Sequence, residues 1–176
     1  MRCRLRPYRS GDEAAVVAAA DDFMVARWMT RAFPHPYTIG DARRWIELVG
    51  NSPIASHFAI EVEGTLAGGI GFDSYGGERS GGASFGYWLG RKYWGRGIAG
   101  EAARILSDHA LNEAALRRLE ALVFAENTAS ARVLEKAGFS LEGVLRRHYL
   151  DRAGKVCDAL LFARLAARRP DGSDYS

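Results

Sequence analysis

A glycine-dense turn between an aromatic strand and a helix constrains this chain more than any other stretch. The turn runs from Trp94 to Gly100, after a strand that ends near Leu89 and before a helix that starts near Ile98. Glycines at 95, 97 and 100 let the backbone curl without a Cβ penalty, so that successive N–H groups converge on one point. The helix adds unpaired N–H groups and the positive end of its dipole. The stretch therefore predicts an anion site for a phosphate or pyrophosphate.

The charge balance suits a small anionic ligand. Arg91, Lys92 and Arg96 flank the turn, while the 24 basic and 21 acidic residues of the chain are interspersed and give a formal net charge of +3. Nothing in this balance demands nucleic acid as a partner. No apolar run approaches the length of a membrane span, and the Arg-rich start lacks the apolar core of a signal peptide. Cys3 and Cys157 have no metal-ligand spacing. We therefore expect a cytoplasmic protein that binds no metal, membrane or nucleic acid.

The length indicates one domain. A chain of 176 residues that is 48% hydrophobic buries roughly 70% of the surface that its unfolded form exposes. We expect the domain to span residues 1–168 and the polar stretch 169–176 to be a disordered tail.

The half of the chain before the turn predicts helices followed by antiparallel strands. Residues 2–7 alternate arginines with Cys3, Leu5 and Pro7, which indicates a strand with a basic outer face. Ser10 is expected to cap the first helix and Thr38 to begin the third. The expected helices cover about 10–20, 22–31 and 38–50, and the expected strands are a hairpin over 57–72, turning at Glu63-Gly64, and a strand over 83–89.

The half after the turn predicts a βαβ unit. Residues 121–125 are apolar without alternation, which indicates a strand covered on both faces and parallel to 83–89 through the intervening helix. Asn127 or Thr128 is expected to cap a short helix that ends at Gly138. Two final strands are expected over 144–151 and 156–165.

The segment Gly95-Arg-Gly-Ile-Ala-Gly100 also matches the dinucleotide pattern G-x-G-x-x-G. The context argues against that interpretation, because the dinucleotide motif opens a doubly wound sheet and an acidic residue ends its next strand. Here antiparallel strands precede the motif, and Glu120 lies at the start of the next strand. No Lys-Ser or Lys-Thr follows the glycines, as a P-loop requires.

Two blocks in a fixed order resemble the GNAT superfamily of acetyl-CoA-dependent N-acetyltransferases. The first is Trp94-Gly-Arg-Gly-Ile-Ala99, and the second joins Glu126-Asn-Thr-Ala-Ser130 to Glu135-Lys-Ala-Gly-Phe139. The resemblance extends from Leu5 to Asp158 and is strongest to the Rim-type group, which acetylates the N-termini of ribosomal proteins. It implies an α+β fold with a mixed, mostly antiparallel twisted sheet flanked by helices. In that fold one parallel strand pair is joined by a helix and splays apart.

The resemblance implies acetyl-CoA as the cosubstrate. N–H groups of the turn would bind its pyrophosphate, and its pantetheine arm would run along the end of the preceding strand. Many superfamily members begin this loop with Gln or Arg, whereas this chain has Trp94, as Rim-type enzymes often do. The cosubstrate-binding residues implied are Trp88, Leu89, Gly90, Trp94, Gly95, Arg96, Gly97, Ile98, Ala99, Gly100, Asn127 and Ser130.

Acetyl transfer needs a neutral amine, a donor to the developing oxyanion and a proton for the leaving thiolate. Backbone N–H groups near residues 87–89 are the simplest oxyanion donors. The Tyr acid of many superfamily members corresponds to Leu134 here, and we predict Ser130, which Rim-type enzymes share, as its substitute. A hydrogen bond in the first turn of its helix would also explain Ser130. Asn127 is a catalytic-site contact, an N-cap or both.

His148 is the predicted general base. It follows the helix that ends at Gly138, where a Rim-type carboxylate is proposed to act, and imidazole suits proton removal near neutral pH. A structural or exposed histidine is the alternative interpretation. Asp73, Glu61 and Asp158 are rival bases, and a water molecule that relays the proton is another.

The expected reaction is direct attack of a primary amine on the thioester, since neither cysteine lies in the motifs. The resemblance implies a protein N-terminal α-amine as the acceptor, with a small amine, amino acid or antibiotic as the close alternative. Trp28 and the segment 33–37 are expected to line the acceptor cleft or to pack into the core. A CoA-binding module without turnover is the alternative of another class. The protein is expected to be a monomer or a homodimer.

Overall fold

A computed structural model describes residues 2–51, 56–114 and 116–167. These residues form one seven-stranded sheet in the order β1-β2-β3-β4-β5-β7-β6. The strands are β1 (Arg4–Arg6), β2 (His57–Val62), β3 (Thr65–Ser74), β4 (Gly82–Leu89), β5 (Arg118–Phe124), β6 (Ser140–Leu150) and β7 (Val156–Leu165). The α-helices are α1 (Glu13–Ala20), α2 (Phe23–Ala26), α3 (Ile39–Gly50), α4 (Ile98–Asn112) and α5 (Thr128–Lys136). The predicted end of the domain at residue 168 and the tail 169–176 lie outside the described residues.

The parallel pair β4 and β5 is the feature that shapes the sheet. All other neighbouring strands are antiparallel, whereas α4 joins β4 to β5 as a parallel crossover. The parallel register begins at Gly82–Arg118 and its last pair is Ser84–Glu120. Beyond it β4 continues along β3 and β5 continues along β7. The predicted mixed sheet with one splayed parallel pair is confirmed, and the space between the separated strands is called the gap below.

Two hydrophobic clusters cover the two faces of the sheet. One includes Ile60, Phe72 and Leu106 and packs α4 and α5 against the sheet. The other includes Val16 and Trp88 and packs α1 and α3 against the opposite side. Because side chains alternate along a strand, Tyr87 of β4 belongs to the α4/α5 face, while Trp88 belongs to the α1/α3 face.

Several sequence expectations are confirmed at single residues. Thr38 caps α3 in a reciprocal box with Asp41, Asn127 caps α5 by accepting from the Ser130 N–H, and Gly138 follows α5 with φ +89°. The hairpin of β2 and β3 turns at Glu63-Gly64, as predicted. No helix among the described ranges combines the length and the apolar character that a membrane crossing needs.

The expectation of a basic outer face on β1 is wrong at Arg6. Its side chain is buried, with Nε 2.6 Å from a Glu61 carboxylate oxygen and Nη1 2.7 Å from Asp12. The two carboxylates compensate the charge of the buried guanidinium. Ser10 does not cap α1, because Asp12 precedes that helix and directs its carboxylate to Arg6 and to the Arg9 N–H instead.

Two further expectations need correction. The second helix is much shorter than 22–31, since α2 ends at Ala26 and turns replace the rest. The strand over 121–125 is not covered on both faces, because Leu122 is 40% exposed. Leu122 points away from Leu119 and Ala121 toward the α1/α3 face, and the buried cluster on that face contains no residue of β5.

Candidate active site

The glycine turn bends tightly between β4 and α4. Gly95 and Gly97 have φ of +71° and +74°, a conformation that a Cβ disfavours. The Gly97 carbonyl accepts the first α4 bond, from the Glu101 N–H at 3.2 Å. The N–H groups of residues 98–100 precede that bond and have no carbonyl within the helix to accept them. A Cβ at Gly95 or Gly100 would meet nothing within 4 Å, so an anion has room to approach these N–H groups.

Trp94 closes the end of β4. Its indole Nε1 donates to the Leu89 carbonyl at 2.7 Å, and the Gly90 N–H donates to Ala67 of β3 at 2.8 Å. The Leu89 carbonyl is therefore occupied by the protein itself. Because backbone directions alternate along β4 and Gly90 faces β3, Tyr87 and Leu89 point their N–H groups into the gap. Of the main-chain groups expected to contact the pantetheine arm along residues 88–90, the Leu89 N–H is therefore the one that faces the gap without either of these bonds.

Arg2 adds positive charge beside the turn and was not among the predicted site residues. Its backbone N–H donates to Glu101 at 2.8 Å, and its guanidinium lies where a Cβ on Gly97 would stand. Arg2, Arg4 and Arg96 also line a cleft of about 600 Å³ next to the start of α4. The alternating arginines at residues 2–6 were the available signal in the sequence. The pairing of β1 with β2 is what places Arg2 beside the start of α4.

Asn127 and Ser130 lie together at the start of α5, across the gap from β4. The Asn127 carbonyl oxygen Oδ1 accepts from the Ser130 N–H at 3.2 Å. The Ser130 hydroxyl is 2.7 Å from the Tyr87 hydroxyl of β4. Burial raises the pKa of Tyr87 to about 12, so that this phenol stays neutral and able to donate. Leu134, where many relatives would have a Tyr, is fully buried.

The Tyr87 hydroxyl is a site group that sequence reasoning missed. Tyr87 and Ser130 are 43 residues apart, and no local spacing relates them. The available signal was that Tyr87 lies on the first predicted parallel strand and Ser130 on the helix that follows the second. The separation of β4 from β5 is what lets α5 reach the Tyr87 side chain.

His148 lies on β6 with an exposed side chain. Its ring contacts Tyr149 with the centroids 4.9 Å apart, and Tyr149 packs against Phe124 at the end of β5 at 4.7 Å. Within the described part of the chain, no hydrogen bond or ion pair ties His148 to Ser130 or Tyr87. Its role as the base stays a prediction.

The three rival carboxylates have different surroundings. Glu61 accepts from Arg6 and lies 3.2 Å from Arg4, and the hydrogen bond from Arg6 is the main cause that lowers its pKa. It is therefore a weak base. Asp158 accepts the Arg147 N–H at 2.7 Å in an irregular part of β6. Asp73 is largely exposed and lies 3.6 Å from Nε2 of His57.

Two arginines join α2 and the connection that follows it to the turn between β6 and β7. Arg152 Nε donates to the Ala26 carbonyl at 2.7 Å, and its Nη2 donates to the Phe33 carbonyl at 2.5 Å and the Thr30 carbonyl at 3.3 Å. In return, Arg31 donates to the Asp151 carbonyl at 3.2 Å. These bonds connect segments more than 100 residues apart into one wall.

Aromatic side chains of this wall lie over the ends of β4 and β5. Phe33 packs against Trp88 with the ring centroids 5.6 Å apart, and Trp28 packs against Phe124 at 6.1 Å. Tyr37 is buried in the core. Trp28 and Phe33 are half-buried, so each combines packing with a position beside the gap.

Comparisons with known proteins agree with this geometry. A family model described as an acetyltransferase (GNAT) domain matches residues 2–140. The uncharacterized N-acetyltransferase p20 of Bacillus licheniformis is 36% identical over 136 residues, which are 74% of this chain and 75% of that protein. The L-amino acid N-acetyltransferase AaaT of Escherichia coli K12 is 28% identical over 137 residues, 77% of this chain and 82% of that protein. The solved structure of Mycobacterium smegmatis RimJ in complex with CoA-disulfide superposes with a TM-score of 0.81 at 29% identity, covering 94% of this chain and 83% of RimJ.

Proposed function

This chain belongs to the GNAT family of acetyltransferases, and on that premise we propose that it transfers the acetyl group of acetyl-CoA to the α-amine of a protein N-terminus. The observation that carries the proposal is the gap between β4 and β5. Unpaired N–H groups of α4 lie at its mouth, and the Ser130–Tyr87 hydroxyl pair spans it. The likeness to RimJ supports the Rim-type group.

The donor would bind along one continuous path. The N–H groups of residues 95–100 and the α4 dipole suit the pyrophosphate, with Arg2 and Arg96 beside it. The pantetheine arm would follow β4 toward the gap, where the Leu89 N–H offers a main-chain hydrogen bond. Asn127 stands on the opposite side, at the end of the strand that has separated.

The chemistry follows from what lines the gap. The amine nitrogen attacks the thioester carbon, forming the C–N bond, and the Tyr87 N–H donates to the oxygen that gains negative charge. The nitrogen loses one proton to a base or to water, the C–S bond breaks, and the Ser130 hydroxyl donates to the departing sulfur and regains a proton from water. When the Tyr87 hydroxyl is the donor of this pair, the Ser130 proton is free to point toward the gap.

A covalent acetyl-cysteine is not part of the proposal. Cys3 is buried, and burial raises the pKa of its thiol to about 11, which leaves little thiolate near neutral pH. Cys157 is also buried. Direct transfer accounts for the reaction without either cysteine.

An α-amine acceptor suits this site better than a lysine. A free α-amino group has a pKa of about 8, compared with about 10.4 for a lysine side chain. A larger fraction is therefore neutral under ordinary conditions, and less base strength is needed. L-Amino acids are the second candidate, because AaaT covers most of this chain and an amino acid carries the same amine.

The test is release of CoA thiol with a panel of acceptors. We expect release with peptides that have a free N-terminus and none with the same peptides blocked at the N-terminus. Release with free L-amino acids but with no peptide would replace the proposed acceptor by the small-molecule alternative. Binding of acetyl-CoA without release for any acceptor would favour a CoA-binding module and contradict the enzyme.

A further inference from the structure

His57 lies in line with the gap on the α1/α3 face of the sheet. His57 of β2 is paired with Gly71 of β3, and Gly71 is paired with Gly86 of β4. Gly86 lies two residues beyond Ser84, the last residue of β4 that pairs with β5, so it borders the gap. Two strand spacings of about 4.8 Å place the His57 backbone about 10 Å from Gly86.

The two residues in register between His57 and the gap are glycines, Gly71 and Gly86. A Cβ on Gly71 would overlap the imidazole ring, which therefore lies across β3 in the direction of β4. Gly86 is exposed, and a Cβ there would meet nothing within 4 Å. The two glycines leave an open floor on which a small group such as an amine fits beside the imidazole.

Contacts on three sides hold the imidazole in place. Trp45 of α3 meets it edge to face, with the ring centroids 5.2 Å apart. Nδ1 is 3.1 Å from the Ser56 hydroxyl, and Nε2 is 3.6 Å from an Asp73 carboxylate oxygen. With the proton of the neutral ring on Nδ1 and donated to Ser56, the lone pair of Nε2 is available.

The electrostatic surroundings favour the neutral ring. Burial lowers the pKa of His57, and the charge of Asp73 acts in the opposite direction without cancelling this effect. Among the described residues that contact the ring, Asp73 is the charged one, since Trp45, Ser56 and Gly71 carry no charge. The imidazole is consequently unprotonated near neutral pH, while Asp73 is placed to stabilise a proton that arrives on Nε2.

From this placement we propose that His57 is the general base of acetyl transfer and that Asp73 supports it, an assignment that rests on the proposed function. Nε2 takes the proton that the amine nitrogen loses as the C–N bond forms, and the imidazolium then returns this proton to water. Ser130 replaces from water the proton that it gives to sulfur, so that amine and thioester become amide and thiol. The base acts on the α1/α3 face and the acid on the α4/α5 face.

The experiment compares His57→Gln with two other histidine variants, using the acceptor that the wild type acetylates best. We expect His57→Gln to lower kcat by about 100-fold or more near neutral pH and to leave the affinity for CoA unchanged. His109→Gln, on an exposed residue of α4 paired with Glu113, is the control and should keep the wild-type kcat. A loss in His148→Gln with none in His57→Gln would assign the base to His148 and overturn the proposal.

Asp73→Asn supplies a second measurement. Asp73 is exposed, so this variant avoids the risk that replacing the half-buried His57 disturbs the fold. The wild-type kcat at saturating acceptor should fall as the pH drops through the pKa of His57. Asp73 raises that pKa, so Asp73→Asn should move this fall to lower pH. When one acceptor is exchanged for another, the pH at which kcat falls should not change with the pKa of the acceptor amine. An unmoved profile in Asp73→Asn would contradict the assignment, and a wild type that acetylates no amine would contradict the proposed function together with it.

Discussion

The two faces of the sheet at the gap are built in different ways. On the α4/α5 face, the groups suited to the donor come from the glycine turn and the start of α5, each a short contiguous motif. On the α1/α3 face, His57, Asp73 and the wall held by Arg152 come from separate strands and connections. Backbone N–H groups and helix ends can bind an anion wherever a motif places them, whereas an acceptor site depends on which distant side chains the sheet brings together.

The largest effect is expected from Gly97→Asp on the donor face. The new carboxylate would stand among the N–H groups proposed to bind pyrophosphate, and each hydrogen bond to a charged group is worth about 1.5–3 kcal/mol. We expect the affinity for CoA, measured by calorimetry, to fall by about 100-fold or more. Gly11→Asp is the control for placing a carboxylate on a glycine with positive φ. A Cβ on Gly11 would meet nothing within 4 Å, whereas a Cβ on Gly97 would displace the Arg2 guanidinium. Equal affinity in both variants would remove the turn from the donor site.

Gly71→Ala tests the acceptor face without changing a polar group. Its Cβ would displace the imidazole of His57. We expect kcat to fall by tens of fold, which is less than the loss of about 100-fold or more expected when the base is removed. Affinity for CoA should not change. Gly76→Ala, where a Cβ meets nothing within 4 Å, should behave as the wild type. A change in CoA affinity with an intact kcat would show that the two faces are not separate.

Tyr87→Phe removes one hydroxyl from the pair that spans the gap. Loss of a hydrogen bond worth about 1 kcal/mol or more predicts a decrease in kcat of about tenfold. If Tyr87 acts through Ser130, the double variant Tyr87→Phe/Ser130→Ala should be no slower than Ser130→Ala alone. Additive losses would show that Tyr87 acts independently of Ser130. Tyr8→Phe is the control. It removes another buried hydroxyl, which has no hydrogen-bond partner among the described residues.

Arg152→Ala is expected to have the smallest effect, because it acts on the wall rather than on the reacting atoms. Its guanidinium donates to the Ala26 carbonyl at the end of α2 and to two carbonyls of the α2–α3 connection. Loss of these bonds should raise KM for the acceptor by about threefold to tenfold. The affinity for CoA and the thermal stability with CoA bound should change little. Arg43→Ala, at an exposed position of α3, serves as the comparison. An unchanged KM would place the acceptor elsewhere.

Sequence signals within a few residues predicted the elements whose ends are fixed by local hydrogen bonds and backbone conformation. The capping box at Thr38, the Asn127 cap and the positive-φ glycine at 138 follow from chemistry within a few residues. Arg6 shows the limit of such signals. Alternation placed it on an exposed face, but the carboxylates of Asp12 and Glu61 make its burial favourable, and Glu61 comes from another strand.

The amino-acid sequence by itself determined the two motifs of the proposed donor side: a glycine turn before a helix, and an Asn-capped helix after the second parallel strand. Those features depend on backbone conformation and helix ends, which neighbouring residues control. Only the tertiary structure decided that Tyr87 meets Ser130, that Arg2 reaches the turn and that His57 lies over Gly71 in line with the gap. These contacts depend on strand register and on where β4 leaves β5, and register is set by pairing between distant parts of the chain.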